Sequence, residues 1–146
     1  MTTVYREFIV EAGVNQVWDA LRDFGAVHRR LAPGFVTDCR LEEDTRVVTF
    51  ASGLVARELL VGLDESARRL CYSAVGGKAT HHQASAQVFA EAEDRTRFVW
   101  ITDVLPAELA GFIDAMMAQG IEVMKHTLAH RMPAGSGRQN DAPQAG

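Results

Sequence analysis

The chain has 146 residues, 47% of them hydrophobic and 23% charged, with a formal net charge of -4. That length suits one domain with a sizeable core. The acidic balance, with Arg29-Arg30 and Arg68-Arg69 isolated among acids, excludes the dense basic face that nucleic-acid binding requires. The segment from Met1 to Glu7 has no basic stretch followed by an apolar one, so no signal peptide is expected, and no apolar run is long enough to span a bilayer. Cys39 and Cys71 are the only two cysteines and lie far apart, which predicts free thiols and a cytoplasmic protein.

Residues 4–10 alternate, with Val4, Phe8 and Val10 on one face and Glu7 and Glu11 on the other, the pattern of a half-buried strand. Gly13 breaks it. Asn15 is placed to cap a helix over 16–24, where Val17, Leu21 and Phe24 fall at helical spacing. The composition allows a short helical turn over 27–31, ended by Pro33-Gly34. The next stretch reads as a meander of strands over 35–41, 46–51, 55–63, 70–75, 83–90 and 96–104. Short polar or glycine turns join them, which argues an antiparallel sheet.

The period then changes. Pro106 suits a first helical position, and Leu109, Ile113, Met116, Gly120, Met124 and Leu128 recur every three to four residues, with Phe112 and Met117 beside them. Glu108, Asp114, Glu122, Lys125, His126 and Ala129 mark the opposite face. The spacing predicts one amphipathic helix of about 25 residues, roughly 38 Å long. From Pro133 to Gly146 no aliphatic side chain exceeds alanine, which predicts a disordered tail after a domain spanning 1–132.

A curved sheet of this size needs a cover for its concave face, and one long helix is available. The order of elements resembles the START/Bet v 1-like (SRPBCC) superfamily, in particular its polyketide cyclase/dehydrase and lipid-transfer branch. The residues that carry the resemblance are Val17-Trp18-Asp19-Ala20-Leu21-Arg22-Asp23-Phe24, then Arg57-Glu58-Leu59-Leu60, Leu63-Asp64-Glu65, Arg68-Arg69-Leu70 and Tyr72 to Gly77, and finally Val99 to Asp103 before Pro106. The resemblance covers residues 3–131. It implies an α+β helix-grip fold, with a curved seven-stranded antiparallel sheet around the C-terminal helix and two short helices after the first strand. It implies no single activity, because carriers, receptors and enzymes share this scaffold. Ser52 to Ala56 and Gly76-Gly77 look like the gate and latch loops of plant hormone receptors in this group. The basic residue that meets the hormone carboxylate there would fall near Thr37, which argues against abscisic acid itself.

Glu58 stands among Leu59, Leu60 and Val61, where an acid is locally out of place. It either points into a cavity, as the resemblance implies, or faces outward and pairs with Arg57 or Arg68. Tyr72 and Trp100 each carry one polar atom that needs a partner when buried, and they serve either a ligand or the core. His81 and His82 face opposite sides of a strand, so they cannot chelate one ion, and at most one reaches a cavity. His82, on the side of Ala84, Ala86 and Val88, is the candidate for proton transfer; the alternative is a solvated pair. A register error of one residue would exchange it for His81, Gln83 and Ser85. His126 and His130 have a Zn²⁺-compatible spacing but no third ligand in reach, so no metal is expected. His28 is expected to face solvent. Met116, Met117 and Met124 suit an adaptable pocket as well as an ordinary core, and Gly120, costly in a helix, implies a close approach or space kept for a ligand.

Three readings from different classes follow. The first is a cytoplasmic binding or carrier protein, a monomer or homodimer without cofactor, enclosing a small apolar molecule such as a lipid, polyketide or isoprenoid. Its pocket would be lined by Glu58, Tyr72, His82, Trp100, Phe112, Met116, Met117, Gly120 and Met124. The second is a polyketide cyclase or dehydratase using that pocket, with Glu58 or His82 moving the proton. A third is a partner-binding domain without a ligand.

Overall fold

The computed structural model describes residues 2–129. The tail expected over 133–146 lies outside the described residues, as does His130. Seven strands, β1 (Thr3–Val10), β2 (Val36–Glu42), β3 (Thr45–Phe50), β4 (Val55–Asp64), β5 (Arg69–Val75), β6 (His81–Ala92) and β7 (Arg95–Leu105), form one antiparallel sheet. Its order is β1-β7-β6-β5-β4-β3-β2, a meander closed by the first strand. Between β1 and β2 the chain makes helix α1 (Val14–Arg22), a 3-10 turn (Phe24–Ala26) and a π turn (Val27–Leu31). A further 3-10 turn (Ala107–Leu109) leads into helix α2 (Ala110–Ala129). Register shifts at Val36/Asp38, Leu60/Gly62 and Ala90/Ala92 bend the strands and let the sheet curve around α2. None of the described helices is long and apolar enough to cross a membrane.

Three helix boundaries differ from expectation. Val17 N–H already donates to Gly13 O at 3.0 Å, so α1 starts at Val14 behind an extended Gly13. Asn15 therefore lies inside the first turn, where its Oδ1 accepts from Arg68 Nη2 at 3.0 Å, and it does not cap the helix. Phe24 falls in the 3-10 turn. Pro106 is extended, with φ -72° and ψ 161°, and stands before the 3-10 turn; it is not the first helical residue. As a result α2 begins at Ala110, and 20 of its residues, to Ala129, fall among the described residues.

The strand alternation sends Phe8, Val10, Val48, Leu70, Tyr72, Ala84, Ala86, Val88 and Phe98 to the concave side, where all are buried. Phe8 and Phe98 sit opposite each other in the β1–β7 register and stack with centroids 4.7 Å apart. The buried stripe of α2 is Met117, Gly120, Ile121, Met124 and Leu128. It shares its second half with the predicted stripe and differs in the first, where Ile113 and Met116 are only partly covered. There the helix faces a cavity and not the packed core.

Helix α1 is fastened to the β4–β5 turn. The Trp18 indole N–H donates to Glu65 at 2.8 Å, and Arg22 grips the same carboxylate at 2.6 Å, which holds the Glu65 carboxyl below the usual range. Two of the segments quoted for the family resemblance thus meet through one acid. At the other end of the helix, Thr96 is buried and donates its hydroxyl to Ala12 O at 2.7 Å. Replacing it by Val keeps the shape but strands that carbonyl away from water. We expect Thr96→Val to cost about 1–3 kcal/mol, read as a lower urea midpoint at unchanged m-value.

Candidate ligand-binding site

Between the concave face and the first half of α2 lies a cavity of about 740 Å³. Behind it a smaller pouch of about 80 Å³ reaches toward Leu21, Leu31 and Phe98. Phe35, Phe50, Glu58, Tyr72 and Trp100 line both spaces and form the wall between them. Phe35 and Phe50 meet edge to face at 5.4 Å, as their quadrupoles prefer. Gly120 is the helix position that these rings approach. A Cβ there would lie 3.3 Å from Phe35 and 3.6 Å from Trp100, which accounts for the glycine by close approach.

The polar groups gather on β3 to β7. Register places Arg46 opposite Glu58, both on the concave side. Arg46 Nε donates to Glu58 Oε1 at 2.8 Å, and their side chains keep only 7% and 13% of their exposure. Arg46 Nη1 also donates to Phe24 O at 3.2 Å, and its guanidinium lies 4.0 Å from the Phe24 ring centroid and 5.0 Å from that of Tyr72. Glu58 therefore faces inward, and its partner is Arg46 in place of the predicted Arg57 or Arg68; Arg57 pairs instead with Glu42.

Trp100 Nε1 donates to the Tyr72 hydroxyl at 3.1 Å, which satisfies the indole N–H at the cavity wall and leaves the phenol proton free to donate. Burial, with Glu58 nearby, pushes the Tyr72 phenol above its ordinary value and keeps it a neutral donor. His82 borders the cavity while His81 is exposed, which sets the even residues of β6 on the concave side. His82 Nδ1 accepts the Ala74 backbone N–H at 2.9 Å. Burial lowers the His82 pKa, opposed by the nearby Glu58 carboxylate.

The helix residues divide between the two spaces. Met116, Met117 and Phe112 line the larger cavity, with Phe112 54% exposed at its rim, whereas Gly120 and Met124 line the inner pouch. His28, expected in solvent, is half-buried, and its Nδ1 is covered without a partner among the described residues. Thr37 is exposed on the sheet edge, its hydroxyl donating to Thr49 O at 3.2 Å. His126 is exposed on α2. The described residues hold no group of three side chains suited to a metal ion. Sequence reasoning missed Arg46, Phe35 and Phe50. The signal for Arg46 was present, since it shares strand parity with Val48 and Phe50.

Two outcomes are expected. Arg46→Ala leaves Glu58 buried without its cation and should cost about 3–5 kcal/mol, whereas Arg46→Met with Glu58→Leu should recover most of that, as a double-mutant cycle in urea would register. For His82, the unfolded chain takes up a proton before the folded one as pH falls. The stability linked to its neutral form is complete above the ordinary value of 6.5 and is lost below it, toward the lower folded-state value. Unfolding curves between pH 7.5 and 5 should show this decline, and His82→Phe should flatten it.

The family model described as polyketide cyclase / dehydrase and lipid transport matches residues 1–130. No curated protein matches by sequence. Among solved structures, a protein from Thermobifida fusca is similar at 26% identity and a TM-score of 0.70, covering 88% of this chain and 91% of its own. The di-domain aromatase/cyclase BexL of the BE-7585A biosynthetic pathway is similar at 12% identity and a TM-score of 0.76, over 88% of this chain and 46% of its own. Truncated norcoclaurine synthase from Thalictrum flavum gives 16% identity and a TM-score of 0.69, over 90% and 95%. With a matching model over all the described residues, the chain belongs to the polyketide cyclase / dehydrase and lipid transport family, and its fold is the helix-grip fold.

Proposed function

We propose that the protein binds a small, largely apolar molecule in the cavity between the sheet and α2. The observation that carries this reading is a space of about 740 Å³ lined by Phe35, Phe50, Trp100, Met116 and Met117, with a few polar groups on one wall. Ligand sites typically enclose about 300–1,000 Å³ and combine apolar walls with a few convergent polar atoms. A partner-binding domain without a ligand would have no need of such a space. Affinity would come from removing apolar surface from water, at about 25 cal/mol per Å², while Glu58, Tyr72 and His82 orient the ligand.

The entrance in this reading lies between the β3–β4 turn and the β5–β6 loop, the two segments that look like gate and latch. Leu54, Val55, Val75 and Phe112 border the cavity and are exposed. Gly53 and Gly76, at φ 95° and 77°, supply turn conformations that side-chain-bearing residues rarely adopt. The free thiols of Cys39 and Cys71 suit a cytoplasmic location.

A second reading, cyclisation or dehydration of a polyketide in the same cavity, is favoured by the presence of Glu58, Tyr72 and His82 on that wall and by the family's description. Native mass spectrometry of protein from its own host should show a bound small molecule. Ala56→Trp, which projects into the cavity from β4, should abolish that mass and the thermal shift given by lipid and polyketide panels. No adduct and no shift across both panels would sink the binding reading. Turnover lost in Glu58→Gln with binding intact would establish the enzymatic one.

A further inference from the structure

We infer that the cavity selects a molecule carrying both a hydroxyl and a carbonyl-type acceptor, held between Glu58 and His82 over Ala74, and that His82 acts there as a fixed hydrogen-bond donor. The inference rests on the ligand-binding reading and specifies its chemistry.

The register builds the slot. Glu58 on β4 pairs with Ala74 on β5, and the β5–β6 ladder, which runs to Tyr72 opposite Ala84, sets His82 across from Ala74 when continued by two residues. Glu58 and His82 therefore stand two strands apart, about 9.5 Å between backbones. Both border the cavity, as does the small Ala74 between them. Alanine leaves the floor of that gap open. Tyr72 lies one pair further along the same face, its ring centroid 6.1 Å from that of His82.

The strand ladder itself fixes the imidazole. Beyond Tyr72 the Ala74 N–H meets no β6 carbonyl and donates to His82 Nδ1, while the Ser73 hydroxyl donates to His82 O. A ring nitrogen that accepts a hydrogen bond carries no proton, so the proton of the neutral ring sits on Nε2. Among the described residues, His82 Nε2–H meets no acceptor, the Tyr72 hydroxyl accepts from Trp100 but its own proton has no acceptor, and Glu58 Oε2 meets no donor. The wall thus offers one acceptor, Glu58, and two donors, Tyr72 and His82. A hydroxyl on the ligand suits the first and a carbonyl oxygen the second.

The same geometry disfavours two alternatives. His82 could take a proton only at Nδ1, at the cost of its bond to Ala74, so the acceptor left for a ligand proton is Glu58. A ligand carboxylate would place a second anion beside Glu58, whose charge Arg46 already matches. The other cations at this cavity are Arg57, tied to Glu42, and the exposed Lys78 at the rim. Burial, which disfavours the imidazolium, also keeps His82 in the donor form near neutral pH.

The test uses the full chain at pH 7 and three matched probes, 6-propionyl-2-naphthol, 2-propionylnaphthalene and 6-hydroxy-2-naphthoate, titrated by fluorescence or calorimetry. The hydroxyketone should bind at least tenfold tighter than either of the others. Glu58→Gln and His82→Phe should each erase that advantage. Ala74→Leu, which leaves every polar group in place, should erase it too while changing binding of the plain ketone less than threefold. Nitrogen NMR of the His82 imidazole should show a protonated Nε2 and a bare Nδ1. Equal affinity for the two ketones, or tighter binding of the naphthoate, overturns the selection and leaves the cavity reading standing. A protonated Nδ1 overturns the donor role whatever the titrations show. If none of the probes binds and the lipid and polyketide panels are also blank, the cavity reading falls with it.

Discussion

The guanidinium of Arg46 is out of water, between the rings of Phe24 and Tyr72, and it donates both to Glu58 and to the Phe24 carbonyl. A charge in that position is tolerated only when paired and hydrogen-bonded, because stripping an ion of water costs several kcal/mol. The partners that satisfy it come from the turn after α1 and from β4, and one of the flanking rings comes from β5. One cation therefore links the helical layer to neighbouring strands and holds the Glu58 carboxylate that strand register turns inward. A buried pair of this kind is weak evidence for stability; its consequence here is that the cavity has one acidic wall whose charge is already matched.

A second constraint is where α2 touches the sheet and where it does not. From Gly120 onward the helix packs closely: Met124 and Leu128 are buried, and the missing side chain of Gly120 admits the rings of Phe35 and Trp100. Before Gly120 the helix borders the larger cavity, so Met116 and Phe112 look onto open space. The glycine marks the boundary between core and pocket. Its helix-propensity penalty of about 1 kcal/mol is offset by aromatic contacts that a Cβ would obstruct.

The sheet's own hydrogen bonding also reaches into the site. At the β5–β6 end a side chain takes the place of a backbone carbonyl, and that substitution determines the tautomer of His82. On this scaffold the protein can therefore combine rigid strand geometry with a definite donor and acceptor pattern, which is what preorganised recognition requires.

Periodicity and turn residues alone determined the number of strands, their order along the chain and the long amphipathic helix, since each depends on local spacing within one element. The concave face of β6 stayed open to a one-residue slip, and the structure settled it on the even residues. The sequence also singled out Glu58, because an acid inside an apolar run is a local anomaly, and Gly120, because its cost is local. The start of α1 was misplaced because Asn15 is a good cap by type, while the first helical bond in fact forms at Gly13. What only the tertiary structure decided is which elements face one another. Arg46 begins a strand beside a polar turn; its parity with Val48 and Phe50 gives it the apolar face, but only the pairing of β3 with β4 under Phe24 shows how it is buried and what matches its charge. Likewise the predicted stripe of α2 strays from the buried one where the partner surface is a cavity and not a packed sheet. Local spacing records which residues share a face; it carries no information about the distance to what that face meets, and the pocket is made of that distance.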